Sequence, residues 1–306
     1  MEIQENFKYG GWKNCIRLIN GELEIIITTD VGPRIIRFAF IGDQNLFGEM
    51  EQQQGKTGGN EWLIYGGHRL WHAPEAMTRT YFPDNNPVNY QWNGTTLKLI
   101  QDIEDTTGIQ KEIEVIPDSV NNNIRVLHRL VNRNIWEIEI APWAITVMAK
   151  NGRAIIPQEP YRTGEGSLLP VRPLVLWPYT EMKDPRFIWG NRFIQVKQDP
   201  GAKTYQKIGV LNTLGWIAYY LNGQLFIKRY DYNPEVCYPD FGANTEVYTN
   251  TDILEIETLG ELKKLPPQGF TEHIENWFLF KAKLDGDEEL LESELTPLIQ
   301  KTDLKI

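Results

Sequence analysis

The amino-acid sequence predicts an all-β protein with one helix near its C-terminal end. Two patterns support this prediction: apolar and polar residues alternate over many short stretches, and Asn-Gly pairs separate several of these stretches. Alternation with a period of two is typical of a strand that packs one face on a core. Asn-Gly favours the tight turn that joins two strands into a hairpin. The chain has 41% hydrophobic and 24% charged residues, which is the composition of a globular protein.

Predicted strands fill much of the first half of the chain. Residues 22–29 and 34–41 form two strands that are joined across Asp30–Pro33. Alternation is clearest in residues 109–116, where isoleucine and valine are interspersed with glutamine and glutamate. The other strands predicted in this half are residues 97–103, 124–131 and 136–148.

Four Asn-Gly pairs mark predicted hairpins. They occur at residues 20–21, 93–94, 151–152 and 222–223, each between β-like stretches. The clearest case is Asn222-Gly223, where a type I′ turn would pair two aromatic-rich strands within residues 216–230. Further strands are predicted at residues 192–198, 206–212, 245–249, 253–259 and 274–283.

Two segments differ from this β pattern. Residues 157–190 are rich in proline and form a long connection, and connections of this length are often functional. Near the C-terminus Asp287 can cap a helix whose apolar stripe includes Leu291 and Leu295, and Pro297 is expected to limit its length. No repeat or composition break divides the chain, so residues 1–306 are predicted to form a single domain.

Charge and cysteine content exclude several classes of partner. The formal net charge is −10, which disfavours binding to nucleic acid or to an anionic membrane surface. No apolar run is long enough for a membrane span, and the polar N-terminus does not resemble a signal peptide. The two cysteines, Cys15 and Cys237, are far apart, as expected for a reducing compartment. We therefore expect a cytoplasmic protein.

The densest group of chemically active residues lies between Tyr65 and Glu75. It contains His68, Arg69, Trp71 and His72, and it is entered through two glycines and closed by a proline. A four-residue spacing of histidines suits a metal only on a helix, which the glycines and the proline disfavour. We therefore predict no metal site and interpret the stretch as part of a pocket for a polar, ring-shaped ligand.

Two later stretches contain further candidates. If residues 253–259 form a strand, Glu255 and Glu257 share one face, and two close carboxylates raise one pKa. The competing interpretation is a solvated outer face, which spacing alone favours. In the other stretch His273, Glu275 and Trp277 would also share a strand face.

His128 lies among apolar residues and is interpreted as a core histidine. The chain lacks the G-x-S-x-G elbow, the P-loop and a G-x-G-x-x-G motif after a strand. Phosphoryl transfer and dinucleotide chemistry are therefore not supported, and no cofactor is expected.

With these residues in view, the chain resembles the galactose mutarotase-like superfamily, specifically its aldose 1-epimerase-related branch. The resemblance rests on four segments in the expected order: Thr29–Arg34, Gly66–Trp71, Leu176–Tyr179, and Glu246–Gly260 followed by Trp277. It implies a β-supersandwich of large antiparallel sheets with a sugar cleft. It also implies an isomerase in which a glutamate deprotonates the anomeric hydroxyl, a histidine protonates the ring oxygen, and the ring opens and recloses.

Carried over by position, the resemblance assigns the base to Glu257 and a sugar-holding role to Arg69. The strand expected to carry the acid histidine has none between Ala141 and Met148, so His68, His72 or His273 would have to supply that proton. The other residues predicted to bind the sugar are Trp71, Glu246, Arg34, His273 and Trp177.

Two alternatives to this isomerase remain open. The missing histidine favours a non-catalytic carbohydrate-binding domain. A third hypothesis is a lyase for acidic sugars, in which Arg34, Arg69 and Arg186 pair with a carboxylate. In each case the partner is a small sugar or sugar derivative, and we expect a monomer or a weak homodimer.

Overall fold

Two large antiparallel β-sheets pack face to face in the computed structural model, which describes residues 2–118, 123–164 and 168–303. One hydrophobic cluster fills the space between the sheets. Its centre is aromatic: Phe38 and Phe47 from one side contact Phe226 and Trp277 from the other, with ring centroids 5.4–5.6 Å apart. The predicted all-β supersandwich is confirmed.

The first sheet has eleven strands, numbered here along the chain. They are β1 (Glu2–Tyr9), β2 (Trp12–Asn20), β3 (Leu23–Thr28), β4 (Arg34–Phe40), β5 (His68–Ala73), β10 (Ile138–Met148), β12 (Leu174–Leu176), β15 (Gln206–Val210), β18 (Thr245–Thr249), β19 (Leu254–Leu259) and β20 (Lys263–Leu265). Their order is β1-β2-β3-β4-β5-β10-β19-β18-β15-β12, with β20 paired to β10. Strands from three distant parts of the chain, β5, β10 and β19, therefore lie side by side.

The second sheet has ten strands. They are β6 (Asn89–Trp92), β7 (Leu97–Ile100), β8 (Ile109–Asp118), β9 (Asn123–Asn132), β11 (Arg153–Pro157), β13 (Phe187–Trp189), β14 (Phe193–Lys197), β16 (Trp216–Leu221), β17 (Gln224–Arg229) and β21 (Phe270–Lys281). Their order is β13-β14-β11-β16-β17-β21-β9-β8-β7-β6. The predicted hairpin at Asn222-Gly223 joins β16 to β17, and both turn residues have the positive φ that a type I′ turn requires.

Two helices complete the described part of the chain. The first, α1, is the short turn Pro239–Gly242, and the second, α2, is Glu288–Gln300. Asp287 caps α2 by accepting a hydrogen bond from the backbone N–H of Leu290, as predicted. The expectation that Pro297 limits this helix was wrong, because α2 continues to Gln300. Neither helix has the length and apolar character needed to cross a bilayer.

Several strands were not predicted from the sequence. The two N-terminal strands β1 and β2 extend the edge of the first sheet, and β12 and β13 lie within the connection 157–190. Strand β5 is buried on both faces, so its hydrophobicity does not alternate and the usual pattern is absent. The sequence predicts a pocket segment here but not that this segment is a strand.

A buried ion pair lies between the sheets. The Nζ atom of Lys228 lies 2.9 Å from the Glu275 carboxylate, and neither side chain is exposed to solvent. Glu275 also accepts hydrogen bonds from the Thr258 hydroxyl, 2.5 Å away, and from the Trp277 indole N–H, 2.7 Å away. Burial alone would raise the pKa of Glu275, but Lys228, the nearby rings of His128 and His273 and the Thr258 hydrogen bond lower it to about 2. Because Thr258 belongs to the first sheet, this carboxylate links the two sheets.

Two histidines extend the same link. The Nε2 atoms of His68 and His128 are 2.6 Å apart, and His128 Nδ1 lies 3.0 Å from the carbonyl oxygen of His273. A carbonyl can only accept, so His128 carries its proton on Nδ1 and accepts from His68 at Nε2. The Thr146 hydroxyl, 2.8 Å from His68 Nδ1, then acts as the donor to that atom. Burial lowers the pKa of both rings, to about 4 for His128, so both are neutral near pH 7.

The buried pair gives a stability prediction. Replacing Lys228 with Met leaves Glu275 as an uncompensated buried charge, so Lys228→Met should lower the free energy of unfolding by about 3–5 kcal/mol. The double variant Lys228→Met/Glu275→Gln removes both charges and should recover most of that loss. Urea denaturation at pH 7 measures both values. If the unfolding free energy of Lys228→Met lies within about 1 kcal/mol of the parental value, a structural role for the pair is contradicted, since an exposed ion pair contributes about that much.

Candidate functional site

A cavity of about 460 Å³ opens on the face of the first sheet that points away from the second. Its volume falls within the range of small-molecule sites. The floor is formed by alternate residues of adjacent strands, and loops supply the walls. The floor residues are Arg69, Trp71, Trp143, Ile145, Lys207, Tyr248, Glu255 and Glu257, and the wall residues are Trp62, Ile64, Glu75, Tyr81, Trp177, Tyr179, Tyr205, Asn250 and Ile253.

Strand register brings the floor residues together. Ile145 on β10 lies directly opposite Arg69 on β5 and Glu257 on β19, so these three share one row of the sheet. Directly opposite residues of neighbouring strands point to the same side of a sheet. The same row continues to Glu246 on β18, which pairs with Glu257. Residues that are up to 188 positions apart therefore form one continuous polar row.

Arg69 has donors that no protein group uses. Its Nη2 donates to the Glu255 carboxylate at 2.8 Å, and its guanidinium lies over the rings of Trp71 and Trp62, 4.7 and 5.5 Å from their centroids. Its Nε and Nη1 are buried and have no hydrogen-bond partner among the described residues. Buried donors without partners are costly. These two atoms therefore favour a ligand that brings oxygen atoms into the cavity.

Glu257 is a buried carboxylate at the cavity floor. Its Oε2 accepts a hydrogen bond from the Trp143 indole at 2.8 Å and from Lys207 Nζ at 3.0 Å, and the residue is 1% exposed. Burial raises the pKa of Glu257 and the nearby Glu255 adds to this, whereas Lys207 and Trp143 oppose it. The group thus has the raised pKa that suits a general base.

Lys207 lies between two carboxylates. Its Nζ is 2.7 Å from Glu246 and 3.0 Å from Glu257, and it lies 4.6 and 4.7 Å from the ring centroids of Trp143 and Trp177. Burial by itself lowers the pKa of Lys207, but the two carboxylates raise it well above its usual value. Glu246 is fully buried, and burial together with Glu257 raises its pKa well above the ordinary range.

Some residues predicted from the sequence meet in this cavity. Glu257, Arg69, Trp71 and Trp177 all line it, and Glu246 lies beside Glu257 beneath its surface. The interpretation of Glu255 and Glu257 as a solvated strand face does not hold, because both are buried in the cavity floor.

The histidines lie elsewhere. Strand alternation turns His68 and His72 toward the second sheet, opposite to Arg69 and Trp71, and His68 forms part of the link between the sheets. His273 donates through Nε2 toward Thr258, 2.7 Å away, in the same buried network. His128 is buried, as predicted for a core histidine. The described residues that line the cavity therefore include no histidine.

Two predicted arginines also lie outside the cavity. Arg34 donates to Asp84 at 2.8 Å and to the carbonyl oxygens of Ile64 and Gly66, and it is fully buried. Arg186 pairs with the carboxylate of Asp184 at 2.8 Å. Their charges are thus satisfied by the protein itself.

Two central residues of the cavity, Lys207 and Trp143, are not among those predicted from the sequence. Both lie in predicted strands, at 206–212 and 136–148, and a lone lysine among apolar strand residues is the pattern that could have identified Lys207. Gly209, two residues later, leaves room for the Trp177 ring, because an added Cβ would lie 3.3 Å from it. No sequence pattern links Trp143 to Glu257, since their contact depends on strand pairing.

Within the described residues, one group of potential metal ligands is close together. His68, His128 and Glu275 offer ligand atoms within 4.8 Å of one another. The Lys228 ammonium lies against the same carboxylate, and the imidazole nitrogens already take part in hydrogen bonds. This arrangement is explained by hydrogen bonding between the sheets.

Comparisons with known proteins show the fold. No protein-family model and no curated protein matches the sequence. Among solved structures, a galactose mutarotase-like protein from Lactobacillus casei aligns with a TM-score of 0.56 at 9% identity, covering 87% of this chain and 100% of the other. A candidate aldose 1-epimerase from Klebsiella pneumoniae aligns with a TM-score of 0.58 at 11% identity, covering 99% and 88%.

A longer protein contains a similar unit. A TPR-domain containing protein from Parabacteroides distasonis aligns with a TM-score of 0.59 at 14% identity, covering 89% of this chain. The chain spans only 48% of that protein's length. The similarity to the Lactobacillus casei and Klebsiella pneumoniae structures shows that the chain has the galactose mutarotase-like fold.

The position of His72 gives a prediction about pH. This ring is buried, and burial together with the charges of Lys111 and Arg79 lowers its pKa to about 3. The unfolded chain protonates this histidine below about pH 6.5 and the folded chain does not, so its contribution to stability is complete above that pH and declines as pH falls. His72→Leu should therefore reduce the loss of unfolding free energy between pH 7.5 and 4.5 by on the order of 2–3 kcal/mol. Urea denaturation at both pH values measures this, and an unchanged difference would contradict it.

Proposed function

We propose that the cavity binds an aldose and that the protein is an isomerase of the aldose 1-epimerase type, with Glu257 as the base. The observation that carries this proposal is the buried Glu257 carboxylate in the same row as Arg69, whose Nε and Nη1 have no hydrogen-bond partner in the described part of the chain. These two donors of Arg69 match a ligand with several hydroxyl groups. The Glu257 base matches a ligand in which one of those hydroxyl groups must lose its proton.

The walls of the cavity suit a sugar ring. Trp62, Trp71, Tyr81 and Trp177 line it and offer flat apolar surfaces. The C–H faces of a pyranose can pack on such surfaces while its hydroxyl groups meet the polar floor. Arg69 would hold sugar oxygens through Nε and Nη1, and its stacking on Trp62 and Trp71 fixes the direction of these donors.

Glu257 has the properties required of the base. Deprotonating an anomeric hydroxyl needs a carboxylate with a raised pKa, and burial raises that of Glu257. Lys207 and Trp143 hold Oε2 in position. Positioned proton transfer typically contributes about 10²–10⁴-fold, which is ample for a reaction that already proceeds slowly in water.

A second candidate function is sugar binding without catalysis. It is favoured by the absence of histidine among the described lining residues, since the resemblance implies a histidine as the acid. The lyase hypothesis has less support, because Arg34 and Arg186 are occupied by Asp84 and Asp184 and only Arg69 remains for a substrate carboxylate.

The first test replaces the proposed base. Glu257→Gln should lower the rate of anomer interconversion of freshly dissolved α-D-glucose or α-D-galactose by about 10²–10⁴-fold. Binding should persist, because the amide keeps the size of the side chain. Polarimetry measures the rate and saturation-transfer NMR measures binding. Glu114→Gln, on β8 of the second sheet, is the matched control and should keep the parental rate.

The outcomes separate the two candidate functions. A Glu257→Gln variant at the parental rate would eliminate this residue as the base. If the parent binds the sugars but does not change the rate of interconversion, the non-catalytic function is supported instead.

The second test concerns Arg69. Lysine keeps the charge but lacks the planar fork of donors, so Arg69→Lys should weaken sugar binding by roughly 10–100-fold through donors left unfilled. NMR titration with D-galactose measures this. Titration with D-galacturonate is the comparison: much tighter binding of the acid by the parent would favour the acidic-sugar hypothesis.

A further inference from the structure

The proposed reaction needs a proton donor as well as a base. Ring opening removes the proton of the anomeric hydroxyl and adds a proton to the ring oxygen, and both oxygens are bonded to the same carbon. The donor must therefore lie within a few ångströms of the base, on the same cavity floor. Of the histidines predicted for this role, His68 and His72 face the second sheet, and His273 belongs to that sheet.

We propose that Lys207 is this proton donor, an inference that rests on the proposed function. Its Nζ lies 3.0 Å from the Glu257 carboxylate and 2.7 Å from that of Glu246, and the side chain lines the cavity. An ammonium and a carboxylate at this separation can contact two oxygens that share one carbon. The rings of Trp143 and Trp177 hold the ammonium from two sides.

Several other polar groups that line the cavity are already engaged by the protein or are partly exposed. The Tyr81 hydroxyl donates to Glu75 at 2.5 Å, and Glu255 accepts from Arg69 at 2.8 Å. Tyr179 and Tyr205 are 42% and 60% exposed and form the outer part of the wall. Lys207 is thus the ionisable donor that directly contacts Glu257 among the described residues.

The protons balance over one cycle. Glu257 takes the proton of the anomeric hydroxyl, the C1–O5 bond breaks, and the Lys207 ammonium gives a proton to O5. The product is the open aldehyde, with Glu257 protonated and Lys207 neutral. After rotation about C1–C2, O5 attacks the other face of the carbonyl, Lys207 recovers its proton from O5 and Glu257 returns its proton to O1. No oxidant, reductant or external acid is consumed.

Glu246 acts as a positioning residue for Lys207. It is fully buried and does not line the cavity, yet it lies 2.7 Å from Nζ on the side away from the opening. It keeps the lysine in place while Glu257 is protonated during the open-chain stage. The two carboxylates also keep Lys207 protonated before the substrate binds, because together they raise its pKa.

The decisive variant is Lys207→Arg, which keeps a positive charge but does not give up a proton. If Lys207 is the donor, kcat for interconversion of α-D-glucose or α-D-galactose should fall about 10²–10⁴-fold. Binding of the same sugar, measured by saturation-transfer NMR, should change less than tenfold. If Lys207 only contributes charge, Lys207→Arg keeps a rate within about threefold of the parent, and the inference is overturned. Circular dichroism confirms that the variant is folded.

A second variant keeps the inference testable if arginine does not fit. Lys207→Ala leaves space for a small amine, so methylammonium should restore part of the rate whereas tetramethylammonium, which carries no proton, should not. Equal rescue by both ions, or by neither, contradicts proton donation. If the parent protein accelerates the interconversion of no aldose, the proposed function itself is refuted. If the parent is active and its Lys207→Arg variant stays active, only the role of Lys207 as the proton donor is refuted.

Discussion

The structure depends on strand alternation in β5 and β19, which are buried on both faces. On each strand one set of residues points into the cavity and the intervening set points between the sheets. On β5 Arg69 faces the cavity while His68 meets His128, and on β19 Glu257 faces the cavity while Thr258 meets Glu275. A shift of one residue in register would exchange these sets, so pairing fixes the site and the core together.

Two buried charge clusters therefore lie back to back across the first sheet. Between the sheets Lys228 and Glu275 form a closed pair, and Thr258 and Trp277 complete the hydrogen bonds of the carboxylate. In the cavity Lys207 is shared by two carboxylates, and Arg69 has unfilled donors. The first cluster is complete and suits a structural role. The second still has two buried donors, Arg69 Nε and Nη1, without a partner among the described residues, and it suits a ligand because buried polar groups are normally satisfied.

Rigid strands make this second cluster suitable for chemistry. The residues proposed to act on a sugar lie on β5, β19 and β15 of one sheet, with β10 between the first two strands and β18 between the last two. The indole of Trp143 on β10 fixes Glu257. Side chains held in this way need little rearrangement when charge moves during a reaction. Loops between the strands carry the wall residues Trp62, Tyr81 and Trp177.

The sequence by itself determined the all-β class, most central strands and the Asn222-Gly223 hairpin. It also determined that Glu255 and Glu257 share one face of a strand. These features follow from local alternation and turn chemistry. It did not reveal that His68 and Arg69 have opposite surroundings, since β5 is buried on both faces and shows no alternating hydrophobicity. Only the tertiary structure brought Lys207 and Trp143 to Glu257. Those contacts depend on which strands become neighbours, and strand order is set by the packing of the whole sheet rather than by any local stretch of sequence.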